Sequence, residues 1–229
     1  MRKYDILLAD ADNTLLDFTS AERTALTSLL TEFGVRAEES LLSSYAEHND
    51  RMWKKLERGE LSHKELSEMR FRTFFADHGI KGDGMLAEKR YRSLLSLCAP
   101  KTDGAEELLL RCRGKVRVYI ISNGRAEVQI SRFKLSGISD LADGVFLSDL
   151  IGSKKPEIRF FEAAASSIDN FSREKALVYG DSLSADIAGG FNYGIDTCWY
   201  NPLGCANGSG IVPVYEIGKH SDLYSILDI

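Results

Sequence analysis

Ile6-Leu7-Leu8-Ala9-Asp10-Ala11-Asp12-Asn13-Thr14 is the stretch that decides the fold. A short apolar run bounded by Asp5 and Asp10 predicts a central strand covered on both faces, ending where the polar residues begin. Similar runs recur at Val116 to Ile121, Gly144 to Leu147, Ala176 to Tyr179 and Thr197 to Tyr200, with a last candidate at Val212 to Ile217. The later runs are separated by segments of helical periodicity. That alternation predicts an α/β fold built on a doubly wound parallel sheet.

Between the first run and the second lie about a hundred residues without a comparable strand signal, more than one crossover helix needs. Thr19-x-x-Glu22 reads as a capping box ahead of Leu26, Leu29, Leu30 and Phe33, with Gly34 as a stop. A second periodic stretch runs from Leu42 through Tyr45, Met52, Trp53 and Leu56 to Gly59. A third starts at Ser62-x-x-Glu65 and passes Leu66, Met69 and Phe74 before Gly79; a fourth covers Leu86 to Leu97. The predicted organisation is an α/β core of residues 1–14 and 100–229, with an inserted helical bundle at 15–99.

The chain has 229 residues, a net charge of -5 and 44% hydrophobic content. That composition describes a globular protein and argues against a polymeric nucleic acid partner, which favours a basic face. The run after Met1-Arg2-Lys3 is too short for a signal peptide or a membrane span, so the cytoplasm is the expected address and no membrane partner is expected. Cys98, Cys112, Cys198 and Cys205 are widely spaced and read as reduced structural thiols.

In open α/β sheets ligands bind outside the carboxyl ends of the strands. Asp10 and Asp12 stand at the first such end, and a period of two turns both to one side and Ala11 to the other. Alone, Asp-x-Asp also reads as the start of a polar turn; the other strand ends decide. The second strand leads into Ser122-Asn123-Gly124, a hydroxyl and backbone N–H groups able to hold phosphate oxygens. The fourth leads into Gly180-Asp181-Ser182-Leu183-Ser184-Ala185-Asp186, which together with Asp10 offers the hard oxygen ligands magnesium prefers. Lys155, set against Pro156 at an expected helix start, is the cation chosen to neutralise a phosphate oxygen; Lys154 is expected to be exposed.

In order, Asp10-x-Asp12-x-Thr14, Ser122-Asn123, Lys155-Pro156 and Gly180-Asp181-x4-Asp186 resemble the four motifs of the haloacid dehalogenase superfamily, and the match spans the whole core. The insertion resembles that superfamily's helical cap, the part expected to set substrate specificity. The resemblance implies Asp10 as nucleophile, Asp12 as general acid and base, and Ser122 with Lys155 as phosphate clamp beside Asn123 and Gly124. It further implies a Mg²⁺ held by Asp10, the backbone carbonyl of Asp12 and Asp181, with Asp186 acting through water or Lys155. Dehalogenases of the superfamily need neither a second acid in the first motif nor the metal cluster, and a receiver domain lacks the inserted bundle. A Mg²⁺-dependent phosphatase of small phosphorylated metabolites is therefore expected. Asn49-x3-Trp53, Gly59, Leu61 and Arg70, with Cys198-Trp199-x-Asn201, are similar to bacterial pyrimidine 5′-nucleotidases. On that resemblance Trp53 stacks on a base and Asn49 or Arg70 binds its edge; a sugar phosphate or phosphoglycolate-like compound is the alternative substrate.

Overall fold

The computed structural model describes residues 3–229, which gather into two compact units. One comprises the chain up to Asp17 together with Lys101–Ile229; the other is Phe18–Pro100. No helix among the described residues is long and apolar enough to cross a membrane.

In chain order the elements are β1 (Ile6–Asp10), α1 (Phe18–Glu32), α2 (Glu39–Glu57), α3 (His63–Asp77), α4 (Gly84–Leu95), α5 (Ala105–Cys112), β2 (Arg117–Ser122) and α6 (Ala126–Ser136). There follow β3 (Gly144–Leu147), α7 (Ser148–Ile151), α8 (Ile158–Ser166), β4 (Ala176–Gly180), α9 (Ala188–Tyr193), β5 (Asp196–Tyr200), β6 (Tyr215–Ile217) and α10 (Leu223–Leu227). The six strands form one parallel sheet in the order β3-β2-β1-β4-β5-β6. Because the order reverses at β1, the crevice of such a sheet falls at the carboxyl ends of β1, β2 and β4.

The alternation within each strand fills both faces. Leu7, Ala9, Val118, Ile120, Leu177 and Tyr179 pack with Leu108, Leu109 and Cys112 of α5, Phe133 of α6 and Leu227 of α10. Ile6, Leu8, Ala176 and Val178 point the other way, onto Phe160 and Phe161 of α8 and Tyr193 of α9. A strand buried on both faces must be apolar throughout, which is why β1 reads as an unbroken run.

The chain leaves β1 through a tight turn in which Leu15 N–H and Leu16 N–H both donate to Ala11 O, with Asn13 at φ 58°. Leu16 then bridges to Lys101, and Thr102 N–H donates to Leu15 O, so the two connections to the insertion run side by side.

The helical unit is built on an aromatic interior: Tyr45 stacks on Phe71 at 5.1 Å and meets Phe74 and Tyr91 edge-on. Within that interior Arg70 donates to Glu88 through Nε and Nη2 and to Asn49 Oδ1 through Nη1 at 3.0 Å, and Asn49 Nδ2 donates to Glu22 at 2.6 Å. Ser62 and Glu65 form the reciprocal capping box at the start of α3.

Three local expectations are corrected. Thr19-x-x-Glu22 does not cap: α1 already begins at Phe18, and Glu22 is buried because Asn49, on α2, takes its carboxylate. The helix expected from Pro156 begins at Ile158, with Pro156 in the turn before it after a cis Lys155-Pro156 bond. The last strand covers only Tyr215–Ile217, and the residues before it are largely exposed loop.

Candidate active site

Asp10 ends β1, and its carboxylate is met by Lys155 Nζ at 2.5 Å. The same ammonium donates to Asp186 Oδ1 at 2.7 Å and to Ile121 O at 3.1 Å, which uses its three hydrogens. Lys155 is 2% exposed, so its long stem and charge are fixed rather than solvated. Asn123 holds the backbone on which it stands. Its Nδ2 donates to Lys155 O, and its Oδ1 accepts from Lys155 N–H, both at 2.8 Å. One hydrogen and one lone pair of the Asn123 amide thereby place Lys155. Lys154 is not the solvent-exposed decoy expected: its side chain is 18% exposed and turns to Glu157 at 2.8 Å, away from the cluster.

Asp181 follows β4 and Asp186 lies in a wide helical turn, Leu183–Ile187, that Ser182 caps by accepting from Ala185 N–H. Ser182 N–H donates to Asp186 Oδ2 at 3.1 Å. Thr14 Oγ1 accepts from Asp181 N–H at 3.1 Å, and Trp199 Nε1 donates to Asp181 O at 2.8 Å, fixing the loop from two sides. One carboxylate oxygen from each of Asp10, Asp181 and Asp186 lies within 4.8 Å of the others.

The Asp10 carboxyl is raised to about 7, first by burial; Lys155 pulls it down, and the charges of Asp186 and Asp12 push it up. Asp181 is raised well above the ordinary carboxylate range, again by burial first and then by Asp10 and Asp186. Burial works against the Lys155 ammonium, but Asp10 and Asp186 outweigh it and raise its pKa. Lys155 bonds two of the three carboxylates, and fully ionised the cluster would carry an excess of negative charge; the raised pKa values hold protons there that a cation would replace. The donors are all hard oxygens, which suits Mg²⁺ and not a thiophilic metal.

Asp12 stands beyond the sheet, outside this carboxylate cluster. Its Oδ2 accepts from Gln129 Nε2 at 2.7 Å and its Oδ1 pairs with Arg132 Nη1. Ala11, between the two acids, is fully buried in the core, as alternation demands. Ser122 ends β2 with its Oγ accepting from Gly124 N–H at 3.0 Å and from Gln129 Nε2 at 2.8 Å.

The structure thus brings together Asp10, Asp12, Ser122, Asn123, Gly124, Lys155, Asp181 and Asp186 at one end of the sheet. The residues expected to read a base are different. Asn49 and Arg70 are 2% and 4% exposed, with the hydrogen bonds described above inside the helical unit, so neither offers an edge for recognition. Trp53 is half-buried against Met52, Leu56 and Leu66 and meets the His63 ring edge-on. Thr14, Gln129 and Arg132 are site residues to which the sequence reading gave no role. A signal existed for the last two: three residues apart, they share the inner face of α6 with Ala126 and Phe133, where polar side chains need a reason to be buried.

The comparisons with known proteins agree with this geometry. The family model for haloacid dehalogenase-like hydrolases matches residues 4–194. Pyrimidine 5′-nucleotidase PynA of Streptococcus pneumoniae is 39% identical over 98% of this chain and 95% of its own length. The HAD-hydrolase YfnB of Bacillus subtilis is 36% identical over the whole chain and 97% of its own. A crystal structure of YfnB bound to magnesium superposes with a TM-score of 0.94, covering 100% of both chains. Pyrimidine 5′-nucleotidase YjjG of Escherichia coli is 29% identical over 98% of each chain.

Proposed function

Because this chain belongs to the haloacid dehalogenase-like hydrolases, we propose that it hydrolyses phosphate monoesters through an aspartyl-phosphate on Asp10, with pyrimidine nucleoside 5′-monophosphates as substrates. The observation that carries the reading is the convergence of Asp10, Lys155, Asp181 and Asp186 from three separate parts of the sequence on one buried point. The nucleotide preference rests on PynA and YjjG, both named pyrimidine 5′-nucleotidases. Asp10, Asp181 and the Asp12 carbonyl would hold Mg²⁺, with Asp186 behind them, and the ion would supply positive charge to the phosphoryl oxygens.

In the first half-reaction an Asp10 carboxylate oxygen attacks phosphorus and the bond to the ester oxygen breaks. That oxygen leaves with the electron pair and takes a proton from the Asp12 carboxyl. The Ser122 hydroxyl donates to a phosphoryl oxygen, and Lys155, giving up one of its three present bonds, binds another as negative charge moves onto them. In the second, Asp12, now a carboxylate, takes a proton from water as its oxygen attacks phosphorus, and Asp10 departs as the leaving carboxylate. The products are an alcohol and inorganic phosphate.

The test is phosphate release by the purified protein with Mg²⁺ on uridine and thymidine 5′-monophosphates beside other phosphate monoesters. Turnover of pyrimidine nucleotides, abolished in Asp10→Asn while the circular dichroism spectrum is unchanged, is the expected result. Retained turnover in Asp10→Asn would refute the covalent mechanism. Turnover of other esters with none of the nucleotides would refute the substrate class.

A further inference from the structure

Two buried side chains of α6 stand between Asp12 and Ser122, and the hydrogens of Arg132 Nη1 and Gln129 Nε2 can be assigned one by one. Arg132 Nη1 has two hydrogens: one goes to Asp12 Oδ1 and the other to Gln129 Oε1 at 2.9 Å. With its oxygen occupied in this way, the Gln129 amide has one orientation, and Nε2 spends its two hydrogens on Asp12 Oδ2 and on Ser122 Oγ. Ser122 Oγ also accepts from Gly124 N–H, so both of its lone pairs are used and its own hydrogen is left to donate. A hydroxyl in that state is a donor for an anionic oxygen.

The amide has been given room for this. A Cβ on Gly124 would lie 2.7 Å from Gln129 Nε2, so only glycine lets the side chain pass. Arg132 and Gln129 are each 1% exposed, whereas the Asp12 side chain keeps 28% of its surface open. One edge of the carboxyl is therefore held and the other is presented.

We propose that Gln129 and Arg132 are positioning residues that bind the Asp12 carboxyl and the Ser122 hydroxyl into a single hydrogen-bonded unit. In it, the group that exchanges protons with the leaving oxygen and with water is registered against the group that grips the phosphoryl oxygens. The assignment rests on the proposed roles of Asp12 and Ser122. Arg132 sets the polarity of the relay. Without it the amide can turn over and present its oxygen to the Asp12 carboxylate, which repels it.

Leaving-group dependence separates this role from a merely structural one, because p-nitrophenolate departs without a proton and an alkoxide does not. Phosphorylation of Asp10 is measured by rapid quench with p-nitrophenyl phosphate, phenyl phosphate and an alkyl phosphate, in wild type, Arg132→Met, Arg132→Lys and Gln129→Met. Arg132→Met and Gln129→Met are expected to lose on the order of 10²-fold with the alkyl ester and under about tenfold with the p-nitrophenyl ester. Arg132→Lys is expected to recover part of the loss, and Gln129→Met to raise KM for all three esters, since Ser122 loses the bond that orients it. Equal losses on all three esters, or none, would overturn the assignment. Should one variant fail to fold by circular dichroism, the other two still show the trend or its absence. No hydroxylamine-sensitive phosphoryl group on wild-type Asp10 would be a different outcome: it overturns the proposed reaction, and this assignment with it.

Discussion

Charge at the residue scale is governed by burial, and the Asp10 carboxyl shows the consequence most directly. Its pKa, about 7 in the folded protein without metal, lies above the ordinary 3.8 because burial and the neighbouring carboxylates outweigh Lys155. A folded-state pKa raised in this way favours the fold while the group is protonated, and that contribution is lost as pH rises through about 7. Metal binding has to displace the proton. Mg²⁺ affinity is therefore expected to fall about tenfold for each pH unit below 7 per displaced proton. The thermal shift produced by Mg²⁺ should be larger at pH 8 than at pH 6; calorimetric titration at both values checks it, and a pH-independent affinity would refute it.

At the scale of the element, the strand ends carry chemistry because their backbones leave room for side chains from elsewhere. A Cβ on Gly180 would lie 2.2 Å from Asp186 Oδ2 and 2.4 Å from its Cγ. Gly180→Ala should thus drive Asp186 off Lys155, costing about 1–3 kcal/mol of stability and weakening Mg²⁺ binding, as melting with and without the ion will show. Ser62→Ala, by contrast, removes the α3 cap in the other unit; it should cost about 1 kcal/mol and leave Mg²⁺ binding untouched, measured the same way. The sheet was legible in the sequence because a strand buried on both faces has to be apolar along its length, and runs such as Gly144 to Leu147 coincide with β3. Helix starts were less so. Thr19-x-x-Glu22 has the letters of a cap, but Glu22 answers to Asn49, 27 positions away, and local pattern carries no such information. For the same reason Asp12 could be picked out as a strand-end acid, and Gln129 and Arg132 stand out as polar residues on an apolar helix face, while their pairing with Asp12 across more than a hundred positions could not be read. Asn123 was legible as a site residue, yet its task is to hold the Lys155 backbone, which only the fold reveals.

For the whole molecule, two units with separate interiors should also fail separately. Arg70 is the hub of the buried polar network in Phe18–Pro100, and Arg70→Met removes its bonds to the buried Glu88 carboxylate, leaving it only Arg92 at 3.5 Å, a loss of about 3 kcal/mol. Hydrogen exchange should show protection lost across 18–100 and retained in β1, β2 and β4; equal loss in both would refute the independence. The Leu16–Lys101 bridge bears on how the chain assembles. The central strand, β1, leaves the ribosome before its neighbour β2, which emerges only after the insertion has been synthesised. Closing so long a span costs configurational entropy that grows with the logarithm of its length. If the helices collapse early and the Leu16–Lys101 bridge forms with them, the span left to close is the short one from Lys101 to Arg117. What looks like an interruption of the sheet thereby becomes the means by which a nascent chain brings its two halves into register.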